Sequence, residues 1–184
     1  MANVVLGVTS SIAIYKSADL LRLLVKKKWN VKVVMTPNAK NLISPQLFSS
    51  LGAEGVYWDL FMSETTGKIE THVSLSKWGD CLVIAPCTAN TLSKISLGIA
   101  DNLLTSLVLC FEPKRVIVAP AMHTQMYFSS VIQEHIRKLV STGMVVVGPE
   151  EGDLASGDCG VGRLANIEEI YSSLERVIDV EKIL

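Results

Sequence analysis

The chain holds 184 residues, 49% of them hydrophobic and 6% aromatic, with 17 basic and 18 acidic side chains and a net charge of −1. That length and apolar content suit one domain, residues 1–184, with a sizeable aliphatic core, and exclude a disordered chain. The balanced charge leaves no electrostatic footprint for nucleic acid, and no apolar run is long enough to span a membrane.

Strand and helix patterns alternate along the chain. They predict an α/β class: a three-layer, doubly wound parallel sheet, Rossmann- or flavodoxin-like. Asn3 to Val8 reads as a strand, and Ser10 to Lys28 as a helix with Ala13, Leu20, Leu21, Leu24 and Val25 on its inner stripe. Val31 to Met35 is a second strand. Thr36 to Gly52 reads as loop and short helices, with Pro37 and Pro45 suited to helix starts. Glu54 to Thr71, carrying Gly55 and Gly67, is the least regular part. Asp80 to Ala85 is a wholly apolar strand ended by Pro86, and helices follow near Thr88–Leu97 and Asp101–Cys110. Arg115 to Ala119 is a buried strand broken by Pro120. Ser129 to Ser141 is helical, Met144 to Val147 a strand, Gly152 to Gly162 a glycine-rich loop, and Asn166 to Ile178 a final helix capped by Asn166.

Four cysteines show neither C-x-x-C spacing nor a clustered histidine, so neither a metal site nor a disulfide framework is expected. Met1-Ala2-Asn3 enters the first strand without a basic, apolar leader, and a reducing cytoplasm is the expected location.

In doubly wound sheets ligands sit beyond the carboxyl ends of the strands. Here those ends carry Gly7-Val8-Thr9-Ser10-Ser11, Thr36-Pro37-Asn38, Pro86-Cys87-Thr88-Ala89-Asn90 and Pro120-Ala121-Met122-His123. They are small, hydroxylic or amide residues with no cluster of carboxylates. Such an edge holds a polar, phosphorylated ligand through neutral hydrogen bonds and helix dipoles. The first of these runs is neither Gly-x-Gly-x-x-Gly nor a P-loop. It reads either as an anion-binding turn or as a plain strand-to-helix turn with Ser10 as N-cap.

At these strand ends the sequence resembles the homo-oligomeric flavin-containing cysteine decarboxylases, and among them the phosphopantothenoylcysteine decarboxylases of coenzyme A biosynthesis. The likeness runs through Gly7–Lys16, His72–Asp80, Ala85–Thr91, Gly98–Thr105, Pro120–Tyr127 and Gly157–Leu164, in that order. It implies FMN as cofactor, with Gly7, Thr9, Ser10 and Ser11 facing it and Thr36 and Thr88 at its phosphate and ribityl chain. Asp101, Asn102 and Leu103 would approach the ring, Met122 would complete the cofactor site, and Asn90 would serve a neighbouring subunit. The resemblance implies a homo-oligomer, a trimer or a dodecamer of trimers. Its chemistry oxidises a cysteinyl thiol, releases the carboxylate as carbon dioxide and reduces the resulting enethiol.

His72 is the base that the resemblance implies, and an imidazole suits proton transfer at neutral pH; the other reading of a lone histidine in a loop before Leu75 and Trp78 is a structural one. Two positions depart from the family's pattern. His123 stands where the family has an asparagine on the substrate carboxylate, and Ser156 stands where the coenzyme A branch has a flap cysteine. Cys159, three residues on, is the candidate replacement proton donor. Met126 and Arg163 are further substrate-binding candidates, Arg163 as a clamp for phosphate or carboxylate or else a surface residue on a turn. Three functions follow: decarboxylation of 4′-phosphopantothenoylcysteine, a small phosphorylated cysteine-containing substrate; oxidative decarboxylation of a peptide C-terminal cysteine; or flavin binding without turnover.

Overall fold

The computed structural model describes residues 1–60 and 71–183, with side chains described through residue 179. Gly67 and most of the expected irregular stretch therefore lie outside the described residues.

The chain folds into a six-stranded parallel sheet: β1 (Asn3–Val8), β2 (Asn30–Met35), β3 (Gly55–Tyr57), β4 (Cys81–Cys87), β5 (Val116–Pro120) and β6 (Val145–Val146). Its order is β3-β2-β1-β4-β5-β6, so the winding reverses between β1 and β4. The helices are α1 (Tyr15–Lys26), α2 (Pro45–Ser50), α3 (Thr71–Trp78), α4 (Ala89–Leu97), α5 (Leu103–Val108), α6 (Thr124–Tyr127), α7 (Ser130–Ser141) and α8 (Ile167–Ile183). A separate antiparallel hairpin, β7 (Glu150–Asp153) and β8 (Cys159–Arg163), precedes α8.

Both faces of the sheet are covered. Val4, Leu6 and Val8 of β1 join Leu20, Leu21, Leu24, Ile170 and Leu174 in one core layer. Val5 joins Leu82, Ile84, Leu92, Leu104 and Leu107 in the other. Two buried faces explain why the central strands read as continuous apolar runs rather than as alternations. Each fully buried aliphatic side chain contributes about 1.5–3 kcal/mol.

Several boundaries differ from the sequence expectation. The turn after β1 makes a 3₁₀ segment, Ile12–Ile14, before α1 begins, and its cap is Ser11 rather than Ser10. β4 runs through Pro86 to Cys87, because its register with β5 shifts between Ile84 and Cys87 and the proline needs no ladder donor there. Pro120 closes β5 instead of lying beyond it. Three-residue β3 is too short to show a period. The glycine-rich stretch is a paired hairpin rather than a loop, and His72 lies on a helix rather than in a loop. Pro45 opens α2 as expected, behind the Ser44 cap.

Gly7 acts through packing. A β-carbon there would lie 2.7 Å from Leu104 Cδ1 and 3.2 Å from Ile84 Cγ1, so the missing side chain is what lets α5 close on β1. Its place in the interior of the strand removes it from the ligand-facing set. Gly7→Ala should cost about 1–3 kcal/mol in urea unfolding. In the double variant with Leu104→Ala the two losses should be less than additive, since one substitution empties the space that the other fills.

Candidate functional site

Between β1 and β4 the carboxyl edge of the sheet opens at the reversal of winding. Thr9, fully buried, joins the two strand ends. Its Oγ1 donates to the Pro86 carbonyl at 2.7 Å and accepts from the Thr88 amide at 3.0 Å. Ser17 of α1 donates to the Ala85 carbonyl at 2.8 Å. The Thr9 hydroxyl is therefore committed to the fold, contrary to its expected role facing a cofactor. Ser11 caps the 3₁₀ turn, accepting from the Ala13 amide at 3.3 Å, and Ser10 stands half-buried beside it.

Thr36 follows β2. Its amide donates to Val8 O at 2.9 Å, which sets it next to Thr9. Thr36 is only 7% exposed, yet its Oγ1 has no hydrogen-bond partner among the described residues. A buried hydroxyl left unpaired is costly and calls for a polar group brought from outside. Thr88 caps α4, accepting from the Thr91 amide at 3.3 Å, and Asn90 stands exposed on the first turn of that helix. α4 thus points its free first-turn amides at the same edge.

Helices that lead back into strands run antiparallel to them, so their N-termini also reach this edge. α3 brings half-buried His72 on its first turn. α5 brings Asn102, whose Oδ1 accepts from the Thr105 amide at 3.1 Å while its own amide donates to Thr105 Oγ1 at 3.2 Å. Asp101 takes Lys94 Nζ at 2.5 Å and Asn102 Nδ2 at 2.9 Å, and the Lys94 hydrogen bond holds its carboxyl below the usual range. Leu103 is buried in the core, so only its backbone faces the edge.

Past β5, Met122 donates its amide to the Gly162 carbonyl at 3.0 Å. A β-carbon on Gly162 would fall 2.1 Å from the Met122 carbonyl oxygen, and one on Gly160 2.5 Å from Thr124 Oγ1. The hairpin is seated glycine-first on the segment from Met122 to Thr124. His123 caps α6 with Nδ1, accepting from the Gln125 amide at 3.3 Å. Its Nε2 meets Asp158 Oδ2 at 3.1 Å, and Ser156 Oγ donates to the same oxygen at 3.0 Å. The His123 and then the Ser156 hydrogen bond hold the Asp158 carboxyl below its ordinary range. Both departures from the expected motif thus converge on one carboxylate, which the sequence reading missed. Met126 is exposed on α6.

Two candidates are placed differently from expectation. Arg163 pairs with Glu150 Oε2 at 2.9 Å and lies along Gly152, so it braces the hairpin base instead of standing free as an anion clamp. Cys159 is exposed, and strand alternation from Gly160 and Gly162 turns it away from the segment from Met122 to Thr124. Cys110 is exposed; Cys81 and Cys87 are buried, and burial pushes the Cys87 thiol far up. Among the described residues no group of three or more His, Cys, Asp and Glu side chains could hold a metal ion, and no helix is long and apolar enough to cross a membrane.

Thr9→Val should strand the Pro86 carbonyl and Thr88 amide and cost about 1–3 kcal/mol by chemical denaturation. Thr36→Val, which removes that unpaired hydroxyl, should leave the ligand-free protein as stable or more stable, by up to about 1–3 kcal/mol. Glu150 accepts from Arg163 and from the Asn166 amide at 2.7 Å, and chiefly Arg163 holds its carboxyl low. A lowered folded value means that the stabilisation is present above about pH 4.5 and is lost as pH falls through the folded value. Limited proteolysis should therefore cut the hairpin of Glu150→Gln faster than wild type at pH 7, with the difference vanishing in acid.

The Flavoprotein family profile matches residues 1–179. A probable phosphopantothenoylcysteine decarboxylase of Streptococcus mutans is 38% identical over 94% of this chain and 97% of its own length. The coenzyme A biosynthesis bifunctional protein CoaBC of Haemophilus influenzae is 34% identical over 94% of this chain, which spans only 42% of that protein. Among solved structures, a PPC decarboxylase mutant complexed with pantothenoylaminoethenethiol superposes with TM-score 0.85 at 29% identity, over 97% of this chain and 98% of its own. The FMN binding protein AtHal3 superposes with TM-score 0.81 at 29% identity, over 97% of each chain. The chain belongs to the Flavoprotein family.

Proposed function

We propose that this chain is an FMN-dependent carboxy-lyase that converts 4′-phosphopantothenoylcysteine to 4′-phosphopantetheine in coenzyme A biosynthesis, working in the cytoplasm. The observation that carries this reading is the likeness to the S. mutans protein along nearly the whole of both chains. The site agrees with it chemically. Its edge offers neutral hydroxyls, helix N-termini and the orphaned, buried Thr36 Oγ1, a donor set that fits a phosphate-bearing group. Ser10, Ser11, Thr36, Thr88 and the first-turn amides of α4 would hold that end. Asn102, the Leu103 backbone and Met122 would flank the ring, with Asp101 fixing the α5 cap. Bound FMN supplies a two-electron acceptor that is restored by the second half of the reaction.

The chain's own residues do the rest. His72, on the first turn of α3, takes up a proton from the cysteinyl end of the substrate. The hairpin covers that end and excludes water, with His123 against its tip and Met126 exposed on α6 nearby in sequence. The working form is a homo-oligomer, a trimer or an assembly of trimers, in which Asn90 completes a neighbour's site. The exposed Ile12, Tyr15, Leu97, Ile99 and Leu109 supply apolar surface for it.

A second reading is favoured by Ser156 and by the outward placement of Cys159: oxidative decarboxylation of a peptide C-terminal cysteine, which stops at the enethiol and needs no flap thiol. Anaerobic mixing of the FMN-loaded protein with 4′-phosphopantothenoylcysteine separates the two. Bleaching of the flavin, carbon dioxide release and return of the yellow colour support the first. Bleaching without return, and turnover of cysteine-ended peptides, support the second. No bleaching with either substrate overturns both. His72→Asn should retain FMN and lose turnover by about 10²–10⁴-fold; an undiminished rate removes it as the base. Thr36→Val should weaken FMN binding roughly 2- to 10-fold.

A further inference from the structure

His123 has one hydrogen to give. Its Nδ1 accepts from the Gln125 amide, so Nε2 carries the proton and donates it to Asp158. Ser156 likewise has one hydroxyl hydrogen, and it ends on the same Asp158 oxygen. Both donors and their acceptor are reachable from solvent: the His123 side chain is 34% exposed and that of Asp158 66%, and Ser156 is exposed. A ligand carboxylate arriving at His123 must therefore displace Asp158, since a single N–H cannot serve two carboxylates in one geometry and the two charges repel.

The hairpin does not depend on this contact for its seat. Its base is held by Arg163 and Glu150, and its middle by the Met122 amide on the Gly162 carbonyl. Only the tip, Leu154 to Asp158, closed by the Leu154 amide on the Asp158 carbonyl at 2.8 Å, is tied to the body through the Asp158 side chain. The tie can be exchanged while the hairpin stays in place.

We propose that Asp158 is a specificity-determining residue: an internal carboxylate that competes with the cysteinyl carboxylate of the substrate for His123 and Ser156. The inference rests on the reading above in requiring a ligand with a cysteinyl carboxylate, which both substrate classes share, and in bringing that carboxylate to His123, where the resemblance puts it. Asp158 weakens ground-state binding of the carboxylated ligand and leaves the decarboxylated one untouched. Loss of carbon dioxide then lets Asp158 return to His123, which closes the tip over a product without a competing charge. Weak ground-state binding of the group that departs opposes no catalysis and favours its loss.

The test compares wild type with Asp158→Ala and Asp158→Asn, all loaded with FMN. KM for 4′-phosphopantothenoylcysteine should fall about 3- to 10-fold in Asp158→Ala, less in Asp158→Asn, while the inhibition constant of 4′-phosphopantetheine stays within about twofold. A cysteine-ended peptide and its cysteamine-ended counterpart form a second pair, and the same selective shift is expected there. An unchanged KM, or equal shifts for both members of a pair, overturns the proposal. Hydrogen exchange on the ligand-free protein reads the tie itself. Tip amides should exchange faster in Asp158→Ala and in His123→Ala, and no faster in the double variant; additive effects overturn it. If wild type acts on neither ligand class, the substrate reading and the competition fall together, and exchange at the tip then shows whether the tie exists apart from them.

Discussion

One hydroxyl joins the halves of the sheet where the site must form. Thr9 Oγ1 donates to Pro86 and accepts from Thr88, so the end of β1 and the start of α4 are fixed to each other with no water between them. A parallel sheet leaves a gap at the reversal of its winding, and backbone groups lining that gap are buried and need partners. Thr9 supplies two. With the β1 end pinned, the Thr36 amide can bond Val8 O, and Thr36 Oγ1 is carried into the gap unpaired. The fold satisfies one threonine there and leaves another for a ligand.

This division of labour marks the limit of what the sequence conveys. Continuous apolar runs made β1, β4 and β5 legible, because burial on both faces leaves no room for polar residues. The small and hydroxylic strand ends made the location of the site legible as well. The assignment among neighbouring residues was not. Gly7, Thr9 and Thr36 look alike as ligand-facing candidates, and they separate only when Leu104, Pro86 and the unpaired state of the buried Thr36 hydroxyl are in view. Tertiary contacts from residues tens of positions away decide each case.

The glycine-rich stretch shows the same limit from the other side. Its composition suggests a free loop, yet Gly162 lies against the Met122 backbone and Gly160 against the Thr124 side chain, so neither position has room for a β-carbon. Register in a hairpin is visible as alternation only when side chains alternate, and Gly160 and Gly162 have none to show. Asp158 went unnoticed for a related reason. A carboxylate in a glycine-rich turn is ordinary, and only the convergence of His123 and Ser156 on it gives it meaning.

The glycine-first seat also constrains how the hairpin is placed. A slip of one residue along the segment beneath would bring Val161 or Arg163 down where only a hydrogen atom fits, 2.1 Å from a carbonyl oxygen in the case of Met122. The close approach therefore fixes the register of the hairpin at the Gly162–Met122 bond, whereas at the tip polar side chains rather than backbone make the contact with the body.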